Sequence, residues 1–335
     1  MATETRPYSI FLYLCPANKK PNVYVEMKNI RAHLCMLAAA VAWGLMAPVG
    51  KAAMEAGISG LMMANMRMLG AAVCFWITSL FMPREHVSPH DLFMLFFASM
   101  LSIVFNQGCY TFGLSLTSPI DASIMTTTMP IVTMILAALF LREPVTPLKV
   151  IGVAMGSLGA LALIVAAAPS GSAAGSESSV WGNTLVVVAQ TSFALYLTLF
   201  KKLIARYSVV TLMKWMFTYA AICFIPVSYH DFATTDLTAF APLVWYEAGY
   251  VVLIGTFVAY LLMVNGQKHL RPTVVSMYNY VQPIVGSSVS VMMGLSTFGP
   301  VKVIAAVFIF AGVYIVTQSK SREDLEKGTR TMENE

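Results

Sequence analysis

The sequence predicts an all-α membrane protein in which ten transmembrane helices form two inverted five-helix repeats. Three observations predict it: apolar runs of spanning length, basic residues confined to alternate loops, and a gapless internal repeat. The chain is 58% hydrophobic and only 11% charged, with a mean hydropathy of +0.71. Soluble domains carry about 25% charge, and no soluble core absorbs so much apolar surface, so the bilayer is the solvent. A spanning helix needs about 20 apolar residues. Such runs fall at residues 32–54, 60–82, 92–114, 118–141 and 148–168, and again at 180–200, 209–229, 244–267, 272–295 and 300–318. Helix is the open-chain structure that satisfies its own backbone in lipid.

The segments between the runs carry proline, glycine, serine and charge, as at Pro83-Arg84-Glu85 and Arg142-Glu143-Pro144. Residues 1–26 read as an N-terminal tail: Ile10–Cys15 is too short to span, and no small-residue cleavage site follows it. Met27, just ahead of Lys28 and Arg31, is a plausible start. The first repeat then covers 27–168, the Gly/Ser/Ala-rich linker 169–179, the second repeat 180–319, and a charged tail 320–335. With the N-terminus placed inside, all but four of the 21 lysines and arginines fall in inside loops or tails. The exceptions are Lys51 and Lys302 near outer ends, and Arg67 and Lys214 within helices. The positive-inside rule therefore puts both termini in the cytoplasm, in the cytoplasmic (inner) membrane, and requires an even number of crossings.

The second half repeats the first at an offset of 153 residues. Pro119 aligns with Pro272, Ser123 with Ser276, and Pro130-Ile131-Val132 with Pro283-Ile284-Val285. Pro147, Lys149-Val150-Ile151 and Gly159 align with Pro300, Lys302-Val303-Ile304 and Gly312, and Gly113 with Gly266 extends the match upstream. An odd number of helices per copy forces the second copy into the membrane upside down, and inverted repeats of this kind hold a solute near the midplane where they meet.

Residues that could carry function are then those that lipid disfavours. Asn106, Tyr110 and Gly113 share one helical face, as do Thr256, Tyr260 and Gln267 in the equivalent helix. Tyr278, Asn279 and Gln282 cluster before Pro283, and Trp43 in the first helix answers to Phe193 in the sixth, one turn after Gln190. These faces should turn inward, either as interhelical hydrogen bonders or as the wall of a cavity for a flat or amphipathic solute. The candidate cavity is Trp43, Asn106, Tyr110, Gln190, Tyr260, Tyr278, Asn279 and Gln282. Pro130 and Pro283 each remove a backbone hydrogen bond at equivalent points and serve as packing kinks or as hinges. A charge at membrane depth costs about 2.5–3.5 kcal/mol. Arg67 therefore reads as a structural or anion-binding group, and Lys214 as a chain reaching for headgroups. Asp121 is the acid inside an apolar run, close to its end. Gly152, Gly156 and Gly159, like Gly286, Ser290 and Gly294, suit close helix packing; they do not by themselves indicate a homodimer.

With the repeat in hand, the chain resembles the drug/metabolite transporter superfamily, EamA type, over residues 30–318. The resemblance is carried by Ala42-Trp43-Gly44, by Arg67, and by Pro130 leading through an apolar run into Arg142-Glu143 and then Lys149-Val150-Ile151-Gly152 to Gly159. It implies ten helices, a central cavity and the movement of amino acids, metabolites or drugs. The family's signature glutamate matches Glu143, whose repeat partner is Ser296, so a symmetric proton-carrying pair is not implied.

Other classes fit less well. An intramembrane enzyme needs paired aspartates, Ser–His or metal ligands inside the helices, and Asp121 has no mate. The five cysteines (Cys15, Cys35, Cys74, Cys109, Cys223) have neither disulfide nor metal spacing. His86 and His90, beside Glu85 and Asp91, read as a solvated turn. No phosphate-cradling ATP loop is present. The expected partners are a small-molecule solute and the bilayer, with no cofactor, metal or nucleic acid; a channel or scaffold is the alternative to a carrier.

Overall fold

Serine and proline punctuate the chain. A side-chain oxygen at a helix N-cap satisfies one of the first free N–H groups, and proline tolerates the first turn, where its missing N–H costs nothing. The computed structural model describes residues 20–116, 125–167, 180–236, 238, 240–292 and 299–320. Its first helix, α1, spans Lys20–Glu55. That backbone begins inside the stretch read from sequence as tail, ahead of the apolar run. Ser59 caps α2, Gly60–Leu80, by accepting from the Met62 N–H at 3.1 Å. Ser88 caps α3 the same way, with Pro89 in its first turn.

Helix α3 has three parts: Pro89–Ser99, a π-helical turn Met100–Phe105, and Asn106–Leu116. Then come α4, Met129–Leu141, and α5, Pro147–Ala167. Arg142, at the end of α4, holds a left-handed φ of 52°. The second half has α6, Val180–Leu199, a short helix Lys201–Arg206, and α7, Val209–Thr234. Helix α8 repeats the three parts of α3 as Pro242–Val252, π-helical Leu253–Val258 and Ala259–His269. Helix α9 is Pro272–Met277, a 3-10 turn Tyr278–Tyr280 and Val281–Met292, and α10 is Pro300–Gln318.

Among the described residues, seven helices are long and apolar enough to cross a membrane: those within α1, α2, α3, α6, α7, α8 and α10. Of the three other runs expected to span, α4 and Pro147–Ala162 of α5 are described as apolar helical segments of 10–17 residues, and α9 is broken where Pro283 can give no hydrogen bond to the preceding turn. The linker 169–179, the tail from 321 onward, residues 1–19, Asp121 and Ser296 lie outside the described residues.

Along α10, large apolar side chains face outward and small residues sit at the helix contact, the pattern of helices packed in lipid. Helix α10 exposes Val303, Val307, Phe310 and Tyr314 along one stripe and buries Ala305, Ile309, Gly312 and Val316 along another. The buried stripe meets α5: a Cβ on Gly152 would come within 2.8 Å of the Gly312 carbonyl, and one on Gly159 within 2.7 Å of the Ala305 carbonyl. The glycine row of α5 is thus spent on a backbone approach inside the chain. Other close pairs are α2 with α7, α3 with α6, α1 with α8 and α9, and α4 with α6 and the start of α9.

Charge gathers on one end of the bundle. Asp91 holds Arg206 at 2.7 Å and the Tyr207 hydroxyl, while Lys268 donates to the Tyr207 carbonyl. Glu143 accepts from Lys149 at 3.0 Å, with Lys201 at 3.9 Å. Arg271 donates to the Val316 and Thr317 carbonyls at the end of α10. The α2–α3, α4–α5, α6–α7 and α8–α9 connections therefore share a face with the C-terminal end of α10. Ala32, early in α1, packs on Gly266 a few residues before Arg271 and so lies toward the same end. At the opposite end, Ser59 donates to Asp231, and Ile58 packs in a cluster with Val244 and Phe240.

Candidate functional site

The polar residues of α2, α3 and α8 meet around one side chain. Arg67 is buried at 8% exposure, midway along α2. Its Nε donates to the Thr256 hydroxyl at 2.9 Å and its Nη1 to the Gln107 amide oxygen at 3.1 Å. Thr256 can be there because it stands in the π-helical turn of α8, where its own hydroxyl hydrogen goes back to the Val251 carbonyl at 2.8 Å. Such turns recur at functional sites because they re-aim one side chain without ending the helix. Gln107 donates in turn to Asn106 at 3.2 Å, and Asn106 to the Ala189 carbonyl of α6 at 2.9 Å. The donors in this chain run outward from the guanidinium, from Arg67 to Gln107, from Gln107 to Asn106 and from Asn106 to the Ala189 carbonyl.

Aromatic rings close one flank. Tyr260 lies one turn beyond Thr256 on α8, and Trp43 and Phe217 meet its ring edge-on with centroids 5.6 and 5.0 Å away. Trp43 is positioned by its neighbour: a Cβ on Gly44 would lie 2.6 Å from Val285 and 3.2 Å from the Gln282 carbonyl, so α1 sits directly against α9.

A second polar group surrounds the breaks in α4 and α9. Tyr280 is fully buried with its ring over Gly156. Its hydroxyl donates to the Thr127 carbonyl at 3.0 Å and shares a 2.6 Å bond with Ser157. Asn279 donates to the Met129 sulfur and accepts from Gln282 at 3.1 Å. Tyr278 faces the other way, toward His33 at 2.7 Å.

The eight residues proposed from sequence as one cavity wall thus divide. Trp43, Tyr260 and Asn106 belong to the Arg67 cluster. Tyr110 follows Asn106 by one turn, and Gln190 adjoins the carbonyl that Asn106 binds. Asn279 and Gln282 line the helix breaks, and Tyr278 bonds to His33. Gln267, expected on the Tyr260 face, is bonded instead to Tyr196 at 3.4 Å. Lys214 stands apart, half-buried with its ammonium 4.9 Å above the Trp76 ring, near an apolar groove of about 440 Å³ between α2 and α7. Pro130 and Pro283 do not kink continuous helices. Each opens a helical segment just after a break, at Thr127–Thr128 and at Tyr278–Tyr280. Sequence reasoning missed Gln107, Tyr280, Ser157 and His33. The 153-residue offset could have found two of them, because it sets Gln107 against Tyr260 and Thr127 against Tyr280.

Helices that show lipid a skin of large apolar side chains and turn their polar groups inward define a multi-pass membrane protein. The comparisons agree with that class. The EamA-like transporter family matches residues 30–165 and again 180–318. The chain is 23% identical over 311 residues to the uncharacterized transporter YetK of Bacillus subtilis (strain 168), covering 92% of this chain and 93% of that one. It is 23% identical to a WAT1-related protein of Arabidopsis thaliana, covering 89% and 94%. A solved crystal structure with 16% identity superimposes with a TM-score of 0.71 over 86% of this chain and 98% of its own, so the fold is shared. The chain belongs to the EamA-like transporter family, within the drug/metabolite transporters.

Proposed function

We propose that the chain is a secondary transporter of small organic solutes that works by alternating access. Ten helices cross the cytoplasmic (inner) membrane as two inverted five-helix repeats, with both termini on the cytoplasmic side and export as the direction. The observation that carries this is an exchange symmetry. Swapping each helix for the one five places on turns the α1–α8 pair into α6–α3, α1–α9 into α6–α4, and leaves α2–α7, α4–α9 and α5–α10 as self-matched pairs. The π-helical turns Met100–Phe105 and Leu253–Val258 lie 153 residues apart, as do Thr127 and Tyr280 on either side of their hydrogen bond.

An inverted pair has two equivalent arrangements, one open to each side, and interconversion needs elements that bend. The break just before α4, at Thr127–Thr128, and the break within α9, at Tyr278–Tyr280, supply them. Each is followed by a proline, and the Tyr280–Thr127 hydrogen bond ties the two, so motion at one is felt at the other. Solute meets the Arg67 cluster between the repeats, and the charged face gives the bundle its orientation. The test is accumulation of a broad panel of amino acids, organic acids and amphipathic drugs in cells with and without the protein. Levels that differ for at least one solute, and equalise when Trp43 and Tyr260 are replaced by alanine, are expected. Indistinguishable levels across the panel would overturn the reading.

A further inference from the structure

We propose that Arg67 is the recognition group for the carboxylate of a flat or aromatic organic acid. This rests on the transporter reading and deepens it by naming the solute class. Arg67 is a full positive charge buried at membrane depth, and the groups that accept its hydrogen bonds, the Thr256 hydroxyl and the Gln107 amide, are neutral. Among the described residues no carboxylate lies within ion-pair distance of it. The contrast is Lys149, buried as deeply and held by Glu143 at 3.0 Å. Guanidinium has five N–H donors in a planar fork, and the two bonds to Thr256 and Gln107 use two of them.

A desolvated cation without a counter-charge is unfavourable, so helices pair such groups or place them on a solute path. Here the neighbours are fixed as if for the second purpose. The Thr256 hydroxyl hydrogen is committed to the Val251 carbonyl, and the Gln107 amide is oriented by its bond onward to Asn106. The acceptors that hold the guanidinium are therefore preset and cannot supply charge. An incoming carboxylate can, through charge-assisted bonds that in a dry site are about twice as strong as neutral ones. Trp43, which meets the buried Tyr260 ring edge-on, offers the adjoining ring surface. Trp43, Asn106 and Gln107 keep part of their surface open, while Arg67, Thr256 and Tyr260 do not.

The competing role is a brace in which Arg67 merely ties α2 to α3 and α8. A matched series separates the two: phenylacetate, its neutral amide phenylacetamide, and the cation phenethylamine. Binding is read by ligand-dependent thermal shift on purified protein, and flux in proteoliposomes. The wild type is expected to favour phenylacetate over the amide by about tenfold or more, with phenethylamine weakest. Arg67→Gln should lose that preference, its acid binding falling to the level of its amide binding, and Arg67→Lys, a point charge without the fork, should fall between. A brace would make Arg67→Gln lower acid and amide by the same factor and keep their ratio, which overturns the proposal. So does a wild type that fails to discriminate or binds none of the three. The wild-type charge series stands even if Arg67→Gln does not fold. Transport of neutral or cationic solutes but of no carboxylate would sink this inference and leave the carrier reading intact.

Discussion

Glu143 and Lys149 show how a single pair can fix a corner of a membrane protein. Arg142 takes a left-handed turn at the end of α4, which swings Glu143 back onto Lys149 in the first turn of α5. Both side chains are nearly sealed, at 7% and 1% exposure, so removing one strands a buried charge. Glu143→Gln should destabilise the protein by about 3 kcal/mol, and Glu143→Gln with Lys149→Met should recover most of it, as measured by thermal unfolding in detergent. A double variant no better than the single would show that the pair is not coupled. Lys201, farther away and partly exposed, should contribute little. At this scale Trp43, Arg67 and Tyr260 were legible because lipid disfavours polar atoms, so their presence in apolar runs already says they face inward. Gln107 was not: it adjoins Asn106 in sequence, and periodicity alone cannot choose between neighbours. Tyr280 was passed over, and the direction of Tyr278 was not legible, for a related reason. The 3-10 turn advances the chain by a different angle from an α-helix, and it sends Tyr278 to His33 and Tyr280 into the seat on Gly156.

Helices α4 and α9 are defined by where they stop. Pro283 cannot donate to the carbonyl one turn earlier, at Asn279, and the chain answers with a 3-10 turn. Pro283→Ala restores the missing donor. The expected result is thermal stability that does not fall, together with slower flux in proteoliposomes; unchanged flux would remove the hinge role from this break. Helix α7 begins under a different kind of control. Ser208 caps it, and the Glu85 carboxylate from the α2–α3 connection accepts the Ser208 N–H at 3.0 Å. Burial alone would push the Glu85 carboxyl up, but hydrogen bonds from Thr211 and Ser208, with Lys268 nearby, outweigh it and hold the group below its ordinary 4.5. A carboxylate lowered on folding contributes stability that is fully present above the unfolded value and is lost as pH falls through the folded one. The gap in melting temperature between wild type and Glu85→Gln should therefore be open at neutral pH, hold down to about pH 4.5 and close below it. A gap that widens on acidification would rule out this cap. Some helix starts were readable, since Pro89, Pro242, Pro272 and Pro300 each open a helical segment. The π-helical turns were not, because no residue type marks them.

At the scale of the molecule, the closest helix pairs join opposite halves. Helix α2 finds its main surface on α7, α5 on α10, α3 on α6, and α1 on α8 and α9. The buried glycines of α5 have their complement on α10, and the Tyr280 hydroxyl has its acceptor on the carbonyl of Thr127. A half folded alone would present those small-residue faces and polar groups to lipid, which offers neither close backbone contact nor hydrogen bonds. The repeat in sequence thus marks two copies that interleave, and it does not mark two domains that stand side by side. The consequence is measurable by expressing residues 27–168 and 180–319 from separate genes. Either half alone should fail to give a monodisperse peak on size-exclusion chromatography, and both together should yield a complex that elutes with the intact chain. Co-expression should also restore solute flux, because the Arg67 cluster draws α2 and α3 from one half and α6 and α8 from the other. A half that purified as a stable, folded monomer would mean that its inward face can be satisfied without its partner, and interleaving would lose its role as the source of the fold.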